Sequence, residues 1–290
     1  MRLAILLTCH NRRDTTLACL RALHACPLPP GWAFDVFLVD DGSTDGTGSA
    51  VRRAFPATIV IDGDGTLFWN GGMRVAFARA MEQDYPAYLW LNDDTLLAPA
   101  ALLDLARCQA ELAARTGGAP AIVVGATCDP VRGTLTYGGL VSERRSPHRY
   151  ELLPPSDQPQ ECQSLNGNCV LIPRAVVQAI GNIDPAFVHA IGDWDYGLRA
   201  RRAGFALWVA PGFVGTCSAN PPAECALTLQ ADLRRQWRRT CGPKGVPPRA
   251  WRVYVQRHCG VLWPLHFARP YVGTVLRALR AKGRLAFART

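Results

Sequence analysis

Residues 35–47, DVFLVDDGSTDGT, contain the signal that decides the fold. A mainly apolar run of strand length over 35–39 is followed by two acids, a cluster of Gly, Ser and Thr, and a helical pattern over 45–54. A short apolar run that leads through turn residues into a helix predicts one βα unit. Asp40 and Asp41 then stand at the carboxyl end of its strand.

The same alternation of strand and helix patterns repeats through the first 125 residues. Strands separated by single helices predict an α/β fold whose mostly parallel sheet carries helices on both faces. The predicted strands cover 2–7, 35–39, 58–61, 87–91 and 121–124, and the predicted helices cover 15–25, 45–54, 72–83 and 99–115. Helices over 174–180 and 195–203 and a last strand over 206–210 follow.

Composition excludes several classes of protein. The 290 residues are 49% hydrophobic and 19% charged, as in a globular protein with a substantial core, and 26 glycines and 22 prolines are too few for a collagen-like chain. No apolar run approaches the ~18 residues that span a bilayer, and the run at 3–7 is short for a secretory signal. We therefore expect a cytoplasmic protein that begins at Met1. The eleven cysteines form no CxxC pair, which predicts reduced thiols and argues against structural zinc.

The formal charge of +9 is unevenly distributed. Residues 226–290 hold fourteen Lys or Arg and one acid, a net charge of +13, whereas residues 1–225 hold 18 bases and 22 acids, a net charge of −4. This contrast predicts two regions, an α/β domain over 1–225 and a basic C-terminal region over 226–290.

The basic C-terminal region combines its cations with apolar residues at helical spacing, over 226–239 and again over 271–287. Aromatic residues at Trp263, Phe267 and Tyr271 accompany them. This pattern predicts amphipathic helices on a membrane surface, which would make the protein peripheral on the cytoplasmic face. Nucleic-acid binding through phosphate contacts and a plain solvated helix are the alternatives, and no nucleic-acid partner is expected.

Acids also follow the predicted strand at 87–91, where the sequence continues Asn92, Asp93, Asp94. In a parallel sheet these side chains project from the same edge as Asp40 and Asp41. Gathered carboxylates repel one another unless a cation or an ordered set of donors neutralises them. A hard divalent cation is one such partner, whereas helix capping or a solvated turn would explain a single acid.

Four motifs in combination resemble glycosyltransferase family 2: TCHNR at 8–12, VDDGSTDGT at 39–47, LNDDT at 91–95 and GDWDYGLRARRAG at 192–204. The resemblance covers about residues 1–215. It implies the Rossmann-like GT-A fold and inverting transfer of a sugar from a UDP-, GDP- or dTDP-linked donor. It also implies Mg²⁺ or Mn²⁺ as cofactor and a hydroxyl of a glycan or lipid-linked acceptor, as in surface-polysaccharide synthesis.

The resemblance also assigns roles to matching residues. Asp94 would hold the metal that bridges the donor phosphates, and Asp193 would be the general base, with Asp195 as the alternative. Trp69 has two interpretations, stacking on a ring of the donor or packing in the core. The residues expected to contact the nucleotide sugar are Thr8, Cys9, Asn11, Asp40, Asp41, Gly63, Asn70, Gly71, Gly72, Arg74, Asn92, Asp93 and Asn168.

The chain departs from the family pattern at two positions. Gly192 stands where a Glu usually precedes the base. The segment 214–218, which includes Cys217, matches a region where members often carry a metal-binding His. A soft thiol is a poor partner for Mg²⁺ or Mn²⁺, so the third metal ligand is left open.

Two other functions are alternatives to glycosyl transfer. A nucleotidyltransferase that makes nucleotide sugars shares the layered fold, but it would carry a glycine-rich loop with a basic residue after the first strand, and TCHNR at 8–12 lacks it. A non-enzymatic basic adaptor for membrane or nucleic acid would leave the strand-end acids without a purpose.

Overall fold

The computed structural model describes residues 1–142, 149–219 and 232–287. The chain divides into two compact units: Met1–Pro185 with Gly192–Ala219, and Ala186–Ile191 with the described part of Asn220–Thr290. The predicted boundary at 225/226 and residues 226–231 of the helix predicted over 226–239 lie outside the described residues.

The first half of the first unit is a series of βα units, as the sequence predicts. Register pairs Cys9 with Asp40 and Asp40 with Asp62, so three parallel strands end at the same level. These elements are β1 (Arg2–Cys9), α1 (Arg13–Ala25), β2 (Ala33–Asp40), α2 (Thr47–Ala54), β3 (Ile59–Asp62), α3 (Phe68–Met81) and β4 (Ala87–Leu91).

The second half of this unit completes a mixed sheet of ten strands. Its elements are β5 (Leu96–Leu97), α4 (Ala101–Arg115), β6 (Ala121–Cys128), β7 (Leu135–Tyr137), β8 (Gly139–Ser142), β9 (Tyr150–Leu152), β10 (Gln160–Cys162), β11 (Ser164–Leu165), β12 (Cys169–Pro173), α5 (Arg174–Ile180), α6 (Gly192–Arg202) and β13 (Ala206–Thr216). The order of this sheet is β10-β13-β6-β12-β4-β1-β2-β3, with β5 paired to β13 and β7 paired to β6. Strands β11, β8 and β9 form a separate sheet of three strands. Strand β12, which the sequence analysis missed, runs antiparallel between β4 and β6.

The sheet is covered on both faces, as predicted. Along β1, Leu3, Ile5 and Leu7 belong to the core under α1 and α4, whereas Ala4 and Leu6 belong to the core under α3 and α6. Because both faces are buried, the strands are nearly continuous apolar runs, and this is the pattern that identified them.

The second unit contains three α-helices among the described residues: α7 (Leu233–Cys241), α8 (Pro248–His258) and α9 (Trp263–Phe287). Helix α9 packs against the other two. The Tyr271 hydroxyl donates to the Val246 carbonyl at 3.0 Å, and Thr240 and Thr274 share a hydroxyl hydrogen bond of 2.9 Å. Helix α8 was not predicted, and α9 begins eight residues before the predicted start at 271. In the described part of the chain, no helix combines the length and apolarity needed to span a membrane.

Candidate active site

The sequence segments that carry the candidate residues meet at one edge of the sheet. The ends of β1 and β2 pair in register, and the Asn92 backbone N–H donates to the Asn168 carbonyl at 3.0 Å. The Gly167 N–H in turn donates to the Asp193 carboxylate at 3.2 Å. The convergence predicted from the strand ends is therefore present in the structure.

Asp40 and Asp41, at the end of β2, are buried and held by backbone donors. Asp40 accepts hydrogen bonds from the N–H groups of Ser43 at 3.1 Å and Gly48 at 2.8 Å. A Cβ at position 48 would lie 2.3 Å from Asp40 Oδ2, so only glycine lets α2 approach so closely. Asp41 accepts from three N–H groups between the end of β3 and the start of α3, those of Gly65, Leu67 and Phe68, at 2.9–3.2 Å.

Asn11 joins the first motif to the second. It has a left-handed backbone conformation, with φ 51°, and its N–H donates to the Ser43 hydroxyl at 2.8 Å. Its side-chain oxygen accepts from the N–H groups of Thr44 at 2.7 Å and Asp45 at 3.3 Å. Asn11 was expected to contact the nucleotide, and the structure places its amide oxygen inside this turn.

Asp93 and Asp94, at the end of β4, share a cation. Arg12 Nη1 lies 3.2 Å from Asp93 Oδ1 and 2.7 Å from Asp94 Oδ2. Asp93 is almost fully buried and also accepts from the Thr16 hydroxyl at 3.3 Å. Burial raises the pKa of Asp93 to about 6, although the Arg12 charge opposes this shift. Arg12 belongs to the TCHNR motif but was not among the predicted site residues. The signal that identifies it is a cation beside two acidic strand ends.

Cys217 lies beside Asp94, as its match to the metal-ligand region suggested. Its Sγ is 3.4 Å from Asp94 Oδ1, and the Asn168 side-chain amide donates to the sulfur at 3.5 Å. Burial raises the pKa of the Cys217 thiol to about 12, so the sulfur is a neutral donor. Within the described residues no three His, Cys, Asp or Glu side chains gather into a metal-binding group.

The donor set still fits one kind of divalent-cation site. Asp94 supplies a hard carboxylate that is 29% exposed. Mg²⁺ commonly binds through one or two carboxylates and completes its octahedron with water and substrate phosphates. Mg²⁺ or Mn²⁺ would therefore be held by Asp94 together with a ligand's oxygens, and Arg12 already contacts the same carboxylate.

Trp69 is held by contacts within the protein. Its indole N–H donates to Asn92 Oδ1 at 2.6 Å, and its ring meets that of Trp90 edge-on at 6.0 Å between centroids. A Cβ at Gly167 would lie 2.2 Å from the Trp69 ring, so the ring lies directly on that glycine. Of the two interpretations of Trp69, packing in the core accounts for these contacts.

The glycine-rich start of α3 packs tightly against its neighbours. A Cβ at Gly72 would lie 2.0 Å from the hydroxyl of Thr8, and one at Gly192 would lie 2.2 Å from Asn70 Oδ1. Asn70 is fully buried, so no larger residue fits at position 192. Gly192, which stands where the family usually has Glu, leaves room for that amide.

The remaining candidates around α3 occupy different environments. The Gly63 N–H donates to the Asp40 carbonyl at 2.8 Å, and Cys9 and Gly71 are buried. Arg74 is half-buried, and its carbonyl accepts from the Asn182 side chain at 2.9 Å.

The two acids at the start of α6 differ sharply. Asp193 is half-buried, and its carboxylate accepts from the N–H groups of Trp194 at 2.9 Å and Gly167 at 3.2 Å. Burial raises the pKa of Asp193 to about 6. Asp195 has no exposed surface and pairs with Arg199 Nε at 2.8 Å. The same guanidinium donates to two backbone carbonyls, so Asp195 belongs to an internal ion pair.

Solved structures with a similar fold are glycosyltransferases. A mannosyltransferase, PcManGT from Pyrobaculum calidifontis in complex with GDP-Man and Mn²⁺, is 16% identical, with a TM-score of 0.54 over 99% of this chain and 74% of that one. S. aureus TarS 1–349 in complex with UDP-GlcNAc is 13% identical, with a TM-score of 0.54 over 88% of this chain and 71% of that one. These likenesses show the GT-A fold. No curated protein sequence matches the chain.

The sequence itself matches a family model. The model described as Glycosyltransferase like family 2 matches residues 2–242, most of the chain. This match confirms the resemblance based on the four motifs, and it favours neither the nucleotidyltransferase nor the adaptor. The chain therefore belongs to glycosyltransferase family 2 and is a glycosyltransferase.

Proposed function

We propose that this glycosyltransferase moves a sugar, with inversion, from a nucleoside-diphosphate donor to a hydroxyl group of a glycan or lipid-linked acceptor, and that Asp193 is its general base. The observation that carries the proposal is the Asp193 carboxylate. It is fixed by two backbone N–H groups and only half-buried, and its pKa of about 6 suits proton transfer near neutral pH.

The reaction follows from this single base. Asp193 takes the proton of the acceptor hydroxyl while the hydroxyl oxygen attacks the anomeric carbon. The bond from that carbon to the phosphate oxygen breaks, and the nucleoside diphosphate leaves. One displacement without a covalent intermediate inverts the anomeric configuration. Asp195 is neutralised by Arg199, which is the reason to prefer Asp193.

The donor site would lie along the edge formed by the ends of β1, β2 and β4. Similar structures hold GDP-Man, UDP or UDP-GlcNAc, which supports a UDP-, GDP- or dTDP-linked donor here. Mg²⁺ or Mn²⁺ held by Asp94 would supply positive charge to the departing diphosphate. Asn168, whose carbonyl and side chain link Asn92 to Cys217, would form the floor beneath the sugar.

A donor screen tests this function directly. Purified protein is incubated with a panel of UDP-, GDP- and dTDP-sugars and Mn²⁺, and release of the nucleoside diphosphate is measured. At least one donor should be hydrolysed slowly and transferred faster when simple glycoside acceptors are present. NMR of the product should show an anomeric configuration opposite to that of the donor. A retained configuration would contradict the single displacement.

We also propose that the second unit binds an anionic membrane surface, where a lipid-linked acceptor would be found. Over residues 232–287 the chain has thirteen Lys or Arg and one acid. Exposed apolar residues follow one stripe of α9, at positions spaced by seven, four and three: Leu265, Val272, Leu276 and Leu279. An apolar stripe among cations suits the interface of an anionic bilayer.

Co-sedimentation of the full chain with vesicles that contain anionic lipid tests membrane binding. The double variant Leu265→Asp and Leu276→Asp should lower the bound fraction several-fold. Val131→Asp is the matched control, because Val131 is 91% exposed in the first unit and should leave binding unchanged. Equal binding by all three proteins would reject the proposed surface.

A further inference from the structure

Arg12 occupies a position where a divalent cation would also act. Its Nη1 lies 2.7 Å from the Asp94 oxygen that is free of Cys217, and 3.2 Å from Asp93. Mg²⁺ binds a carboxylate oxygen at about 2.0–2.1 Å. A metal on Asp94 and the Arg12 guanidinium would therefore lie within a few ångströms of each other and would repel.

The fold directs Arg12 to this position. Asn11, in a left-handed backbone conformation and bonded to Ser43 and Thr44, lies in the short link between β1 and α1. The Arg12 carbonyl then accepts from the Thr16 N–H at 2.8 Å, at the start of α1. The backbone on both sides of Arg12 is thus anchored, while its side chain stays 45% exposed. A guanidinium with this exposure has donors left for a ligand.

We propose that Arg12 is a built-in cation of the donor-diphosphate site, which competes with divalent metal for Asp94 and binds the diphosphate through its guanidinium. This inference rests on the proposed function, because it requires a nucleoside diphosphate at this edge of the sheet. An arginine fork recognises phosphate through paired N–H donors. Arg12 would then supply part of the positive charge that neutralises the diphosphate, in addition to any charge from a bound metal.

The first test measures Mn²⁺ binding to the full chain without nucleotide, by electron paramagnetic resonance. Arg12→Gln removes the charge and keeps a polar side chain, so Mn²⁺ should bind at least about tenfold more tightly than to the wild type. Arg13→Gln is the matched control, since Arg13 pairs with the exposed Asp14, and should match the wild type. Unchanged or weaker Mn²⁺ binding by Arg12→Gln would overturn the competition.

Arg12→Lys guards against a folding defect in the first variant, because it preserves the charge beside the buried Asp93. Its Mn²⁺ affinity should stay within about threefold of the wild type, since a lysine still repels the metal. If Arg12→Lys tightens Mn²⁺ binding as much as Arg12→Gln does, charge is not the cause and the proposal is wrong.

Calorimetric titration with UDP, GDP and dTDP in EDTA is the second test. The wild type should bind at least one of them without metal, and Arg12→Gln should bind it at least about tenfold more weakly. Added Mn²⁺ should restore most of that loss, whereas Arg13→Gln should behave as the wild type throughout. Equal affinity of wild type and Arg12→Gln in EDTA would refute diphosphate binding by Arg12. If the wild type binds none of the nucleotides even with Mn²⁺, the proposed function itself fails, while the metal titration still decides the competition.

Discussion

The two acidic pairs that flank β1 are neutralised in different ways. Asp40 and Asp41 are buried and surrounded by backbone N–H groups of the loops that follow β2 and β3. Asp93 and Asp94 share one arginine side chain, with the Thr16 hydroxyl also donating to Asp93, and Asp94 is 29% exposed. Backbone donors belong to the fold and stay in place, whereas a side chain can exchange one partner for another. The first pair therefore holds the edge of the sheet together, and the second is suited to a ligand.

The largest effect is expected at Asp193, which belongs to neither pair. Asp193 has backbone donors, as Asp40 does, but it is only half-buried and its pKa is raised to about 6 by burial. Asp193→Asn should lower kcat by about 10²–10⁴-fold, because the base is lost, while nucleotide affinity stays close to that of the wild type. Transfer assays and calorimetry check the two parts, and retained turnover would remove the base assignment.

The Asp41 pocket predicts the next largest effect, on stability. Asp41→Ala leaves three part-buried N–H groups without their acceptor and should lower the free energy of unfolding by about 3 kcal/mol. Urea denaturation measures this, with Asp64→Ala as control, because the Asp64 carboxylate accepts its hydrogen bonds from the N–H and hydroxyl of the exposed Thr66. Equal losses in the two variants would contradict a structural role for Asp41.

The pH dependence of kcat/KM tests whether Asp193 acts as a base. With a pKa of about 6, its carboxylate is ionised above that pH and protonated below it. The rate should therefore stay level above about pH 7 and fall roughly tenfold per pH unit once the pH is well below 6. An acid limb near pH 4 would mean that burial does not shift this group.

Asp94→Ala tests the second acidic pair, Asp93 and Asp94. Because Asp94 is partly exposed, the free energy of unfolding should change by less than about 1 kcal/mol. Donor affinity in the presence of Mn²⁺ should fall about tenfold, as the carboxylate that would hold the metal is removed. Urea denaturation measures the stability of the variant, and calorimetry with and without Mn²⁺ measures its donor affinity. Unchanged affinity in the presence of Mn²⁺ would contradict the metal role.

Trp69 should show the smallest effect. Trp69→Phe keeps an aromatic ring on Gly167 but removes the N–H donor to Asn92, so stability should fall by about 1 kcal/mol. Thermal unfolding measures the loss. A marked loss of nucleotide affinity with unchanged stability would instead favour stacking on the donor.

Much of the fold was predictable because β1, β2 and β4 are buried on both faces and separated by amphipathic helices. Strand β12 was missed because its five residues, CVLIP, resemble any short buried segment, and its neighbours β4 and β6 are distant in sequence. Convergence of the strand-end acids followed from topology. Their individual partners did not, because these depend on turn geometry such as the left-handed conformation of Asn11.

The choice between Asp193 and Asp195 had a signal in the sequence that went unused. Arg199 stands four residues after Asp195, the spacing at which opposite charges meet on a helix. The structure contains that ion pair, fully buried on the aspartate side. Asp193 has no cation at this spacing, since residue 197 is glycine.

The glycine at position 192 limits which residues can be introduced into this part of the enzyme. Because the residue touches the buried amide of Asn70, restoring a glutamate before Asp193 would push apart the starts of α3 and α6. Residues 70 and 192 must therefore be changed together. Grafting a catalytic segment from another family member would therefore succeed only with an accompanying smaller residue at position 70.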